Sequence, residues 1–190
     1  KKEIPVIVNQ IGGERVKNTI VSSEPEINQI QIVGSKSEIE NASCCVVSID
    51  TSSIMESGKT MYSYHISNSD QIPLAHTATI YSSYITIPVN NTVYQKHTAD
   101  VKIKPSDELL EKYAVEIDQK SISPQTVDIG VPIGQDAPQN VTAIFTDTEN
   151  KTGINDFSAE LESTEGIYVK KQTINFRANV ENRVEINVPV

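Results

Sequence analysis

The residue types that do chemistry are present in this chain, but their spacing works against them. Histidines stand at His65, His76 and His97. No two of them have metal-ligand spacing, and no Cys-x-x-Cys pair accompanies them, so a zinc site has no ligand set. The two cysteines, Cys44 and Cys45, are adjacent. Neighbouring side chains on a strand point to opposite faces, which strains a disulfide between them. The expectation is two free thiols, one in a core and its neighbour on the other face, with no nearby base to activate either. Serine is abundant, yet neither Gly-x-Ser-x-Gly nor Ser-x-x-Lys occurs. Gly-x-Gly-x-x-Gly and a phosphate loop are missing as well.

Acidic residues offer one further candidate. The run "DTENKTGIND" places Asp147, Glu149 and Asp156 around Gly153. Oxygen ligands in a loop suit Ca²⁺, but this loop does not follow the EF-hand order. The sequence therefore assigns no catalytic, cofactor-binding or metal-ligating residue, and it points to a protein that is not an enzyme. Glycosylation sequons at Asn41, Asn140 and Asn150 matter only in a eukaryotic secreted protein.

The elements that carry these residues are strands. "INQIQIV" sets Ile30 and Ile32 on one face, and "TVDIGV" does the same with Val127, Ile129 and Val131. "INFRANV" gathers Ile174, Phe176, Ala178 and Val180, and "RVEINVPV" gathers Val184, Ile186, Val188 and Val190. "MYSYHI" puts Tyr62, Tyr64 and Ile66 together on one strand. A period of two with one wet face marks half-buried antiparallel strands. Helical signals are brief. "PSDELLEKY" offers Ser106 or Asp107 as N-cap, and "SKSEIENA" offers Ser35 or Ser37. No periodic helix is long enough to cross over between parallel strands. Prolines near the ends of "EIPVIV", "ITIPV" and "INVPV" suggest edge positions, since proline cannot donate to a ladder.

The same order of elements occurs twice. "SSEPEINQIQIVGSKSEIENASCCVVSID" can be laid on "SISPQTVDIGVPIGQDAPQNVTAIFTD", with Pro25 opposite Pro124. "EIPVIVNQIGGERVKNTIV" matches "ADVKIKPSDELLEKYAVEI" as strand, small loop, strand, and "ITIPV" matches "INVPV" as a closing strand. The reading is a mainly β protein of two tandem small β domains, residues 1–91 and 92–190, with short helices at strand connections. The turn residues Asn90 and Asn91 mark the boundary. Within each domain the opening strand is expected beside the closing one, Ile4 to Val8 against Ile85 to Val89.

Composition narrows the partners. The net charge is −9, with nine acidic against six basic residues in 1–91 and sixteen against ten in 92–190. Neither half is basic, which disfavours nucleic acid and anionic lipid. Trp is absent and Phe occurs three times, so the cores are expected from Ile, Val, Leu and Tyr. No stretch approaches the roughly 20 apolar residues of a membrane helix. The abrupt start in "KKEIPVIV" reads as the middle of a longer protein with its anchor elsewhere.

These residues are similar to the YbbR-like repeat. The likeness spans about Ile4 to Val89 and is densest in "VSSEPEINQIQIVGSKSEIENASCCVVSIDTSSI". The second half keeps "SISPQTVDIGV" but has "PIGQDAPQNV" where the repeat has its short helix. The resemblance implies tandem domains in a bacterial envelope protein, held at the extracytoplasmic face of the cell membrane through a segment outside this chain. It also implies a protein partner, such as the membrane-bound cyclic-di-AMP synthase that such a protein regulates in Firmicutes. It supplies no catalytic residue and no cofactor. The competing reading is an Ig-like stalk of a cell-surface adhesin, for which each half would be a seven-strand sandwich.

Overall fold

Alternation of apolar and polar side chains gives most of this chain its shape. The computed structural model describes residues 1–12, 18–74 and 80–183. The chain divides into two compact units, Lys1–Tyr94 and Gln95–Val190. Strands dominate the described residues and the helices are short, so the protein is mainly β.

The first unit runs β1 (Lys2–Ile11), β2 (Thr19–Pro25), β3 (Gln29–Val33), α1 (Lys36–Asn41), β4 (Cys44–Asp50), β5 (Gly58–Tyr62), β6 (His65–Ser67), β7 (Tyr81–Ser82) and the beginning of β8 (Ile87–Pro105). One sheet has the order β6-β4-β1-β3-β7. Its central strand changes partner along its length. Lys2 to Pro5 pair antiparallel with β3, from Lys2↔Ile32 to Pro5↔Gln29. Val6 to Ile11 pair parallel with β4, from Val6↔Cys45 to Ile11↔Asp50. The beginning of β8 pairs with β2 and, antiparallel, with β5.

The second unit repeats this plan. It runs from the remainder of β8 through α2 (Asp107–Lys112), β9 (Tyr113–Ser123), β10 (Thr126–Val131), β11 (Asn140–Phe145), β12 (Gly153–Leu161) and β13 (Tyr168–Val169) to β14 (Gln172–Asn182). Gln95 to Asp100 of β8 pair antiparallel with β10. Asp100 to Pro105 pair parallel with β11. The short strand β13 borders β10 as β7 borders β3. β14 lies between β12 and β9, as the start of β8 lies between β5 and β2. Pro25 and Pro124 both fall at the connection into the third strand of their unit.

Each unit has its own core. In the first, Ile4, Ile30, Ile32, Cys45, Val47, Ile49, Ile87 and Val89 are buried together. In the second, Val127, Ile129, Val141, Ala143 and the β14 row Ile174, Phe176, Ala178, Val180 form the equivalent cluster. All three phenylalanines sit here and touch. Phe145 lies 5.0 Å from both Phe157 and Phe176 between ring centroids. The expectation of a core without a phenylalanine centre therefore holds for the first unit only.

The short helices are capped as their sequences direct. Glu38 Oε2 accepts from both the N–H (3.3 Å) and the hydroxyl (2.6 Å) of Ser35. Lys2 Nζ donates to Ala42 O at 2.6 Å at the far end of α1. Ser106 Oγ accepts the Leu109 N–H at 3.2 Å at the start of α2. "PIGQDAPQNV" forms no helix and opens with a turn, Gln135 N–H to Pro132 O at 3.1 Å.

Several expectations change. The strands are not all antiparallel: β1 with β4 and β8 with β11 are parallel pairs. Side-chain alternation reports faces and not direction, and the crossovers are made by β2, β3 and α1, or by α2, β9 and β10, instead of one long helix. The opening strand does not lie beside the closing one: β1 pairs with β3 and β4, and the start of β8 pairs with β2 and β5. "MYSYHI" is not one strand: β5 ends at Tyr62 and β6 begins at His65. Tyr62, Tyr64 and Ile66 nonetheless all pack on the first core.

Nor do the prolines mark edges. Pro5 is in the central strand, where β1 changes partner. Val6 N–H donates to Asn28 O at 2.9 Å on the β3 side. Backbone groups alternate, so the Pro5 nitrogen faces the β4 side, where pairing starts only at Val6↔Cys45. The donor that proline lacks is missing where no strand needs it. Pro88 is buried inside β8, and its carbonyl accepts the Glu26 N–H at 3.0 Å. "INVPV" and the alternation of Val184 to Val190 lie outside the described residues.

Phe176 is 2% exposed at the centre of the aromatic cluster. Phe176→Ala should destabilise the second unit by about 3–5 kcal/mol, whereas Ile32→Val in the first should cost about 0.5–1.5 kcal/mol. Urea denaturation of both variants against the parent chain measures the difference.

Candidate functional site

The residue types with chemical potential are held apart by the strands that carry them. Cys44 and Cys45 begin β4, and both are buried, at 3% and 0% exposure. Cys45 faces the first core. Cys44, on the other face, donates its thiol to Asn68 O at 3.4 Å. Burial raises both thiols, and Cys45 is pushed up to about 12 by desolvation and then by the neighbouring Cys44. A thiol in this state is neither nucleophile nor metal ligand.

Two of the histidines lie among the described residues, one in each unit. His65 is half-buried on β6 of the first unit, and His97 is half-buried on β8 of the second, opposite Ile129. The Nε2 of His97 is buried and has no hydrogen-bond partner among the described residues. His76 lies outside the described residues.

The acidic loop has its carboxylates engaged one by one. Asp147 Oδ1 accepts the Glu149 N–H at 2.8 Å, and Glu149 pairs with Lys151 at 2.6 Å. Asp156, on β12, accepts from Arg177 Nε at 2.9 Å. That hydrogen bond, reinforced by the charge of Asp156, raises Arg177 above its ordinary value. The three acids thus turn to separate partners. No group of three or more His, Cys, Asp or Glu among the described residues is placed to hold a metal ion.

Two shallow grooves mark the second unit. One, of about 500 Å³, lies on the outward face of β9, β14 and β12, beside Glu116, Asp118, Ile154, Arg177 and Asn179. The register puts Asp156, Arg177 and Asp118 in one row across the three strands. Glu160 and Glu181 are exposed on the same sheet, where they accept from Thr173 and Asn179. The other groove, of about 640 Å³, lies beside Thr98, Pro124, Asp128, Lys170 and Lys171. Lys171 pairs with Glu162 at 2.6 Å, and Asp128 pairs with Lys96 at 2.8 Å. Both grooves are open surface lined by side chains of both charge signs.

The residue that sequence reasoning misread is Asn91. It reads as a turn residue, but it lies within β8 and is 4% exposed. Its Oδ1 accepts from Ser23 Oγ at 2.8 Å, and its Nδ2 donates to Tyr62 Oη at 3.1 Å. One amide thereby ties β2, β8 and β5 together. The signal was present: Asn91 continues the inward row of Ile87 and Val89. An amide in such a row is an interior group with two partners to find.

No protein-family profile matches this chain, and no curated protein matches it. A solved structure is similar. The crystal structure of a YbbR-like protein from Streptococcus pneumoniae shares 12% identity with this chain, over 95% of this chain and 93% of that one, at a TM-score of 0.48. A likeness of that size assigns neither an activity nor a partner.

Three outcomes follow from this geometry. Asn91→Leu leaves Ser23 Oγ buried without its acceptor and should cost about 1–3 kcal/mol, with Ser23→Ala in the same chain recovering part of the loss. Urea titration of both variants against the parent chain measures this. The Cys45 thiol keeps its proton in the folded state up to about pH 12, against an ordinary 9.0. Its stabilisation is complete below about pH 9 and is lost as the pH rises toward 12, because the unfolded chain ionises first. Stability measured across that window should fall less steeply in Cys45→Ala. Finally, EDTA should leave the melting temperature of the parent chain unchanged, and added Ca²⁺ should not raise it, as read by differential scanning calorimetry.

Proposed function

We propose that this chain is a non-enzymatic binding module of a bacterial envelope protein. In this reading it is a pair of YbbR-like domains at the extracytoplasmic face of the cell membrane, attached through a segment outside this chain. It acts by contact with a membrane partner, and a cyclic-di-AMP synthase is the partner that the resemblance names. The observation that carries the reading is the repeat itself. Two units build the same plan, with one strand antiparallel to the third strand and parallel to the fourth. The chemistry of the described residues supports it too. The thiols are buried, and the surface carboxylates of the acidic loop are engaged singly.

The Ig-like stalk is the weaker reading. Immunoglobulin-type sandwiches pack two antiparallel sheets, while each unit here contains a parallel pair.

The test uses the purified chain and the membrane-bound cyclic-di-AMP synthase in detergent or nanodiscs. Saturable binding by biolayer interferometry, with a change in the rate of cyclic-di-AMP formation, is the expected result. Absence of binding, with an unchanged rate, overturns the choice of partner. Turnover of any substrate by the chain alone, abolished by a point substitution, overturns the non-enzymatic reading.

A further inference from the structure

We draw no further inference here: the strongest candidate, the exposed apolar patch that Val33 and Tyr81 form across the β3–β7 pair with Tyr84 and Ile85 nearby in sequence, carries nothing because nothing in the structure shows what covers it.

Discussion

A strand has two edges, and β1 satisfies them with neighbours that run in opposite directions. Its first four residues face β3 antiparallel, and its last six face β4 parallel. Everything else in the first unit follows from that division. A parallel neighbour requires a crossover, so β2, β3 and α1 must all be threaded between β1 and β4. An antiparallel neighbour on the other edge excludes the closing strand, which takes β2 and β5 instead. The changeover needs a point where the ladder can lapse on one side, and Pro5 stands there. β8 repeats the division, with Asp100 pairing to both Thr126 and Asn140.

The faces of the strands were legible because burial has a period of two. Ile30 and Ile32, Val127 with Ile129 and Val131, and the row from Ile174 to Val180 all face the cores as their spacing demands. The caps at Ser35 and Ser106 were legible because a hydroxyl before a short acidic turn has few other uses. Partner choice was not legible. A β-branched run such as "IPVIV" has the same pattern beside a parallel or an antiparallel neighbour, so nothing local distinguishes β4 from the closing strand. The phenylalanine cluster was hidden for a related reason. Phe145, Phe157 and Phe176 are spread along the sequence on three strands, and they meet only because the sheets bring those strands together.

The candidate chemistry divides along the same line. His65 and His97 are carried by different units. The cysteines differ in one respect. Two adjacent strand residues are normally one inside and one outside, but on the outer face the Cys44 thiol meets the Asn68 carbonyl, and both thiols are buried. Asn91 shows how composition can mislead. Next to Asn90 it resembles a turn, yet its place in the row of Ile87 and Val89 makes it an internal tie between strands. The outward-facing row Asp118, Arg177 and Asp156 runs across β9, β14 and β12, with Arg177 donating to Asp156.

The division of β1 and β8 between opposed neighbours can be read directly from interstrand nuclear Overhauser contacts in solution. Backbone contacts of Val8 with the Val47 region and of Ile103 with the Ala143 region, in the spacing of parallel strands, are the predicted result. Contacts of Ile4 to Val8 with Ile87 to Val89 instead would contradict the split-strand plan and the repeat built on it.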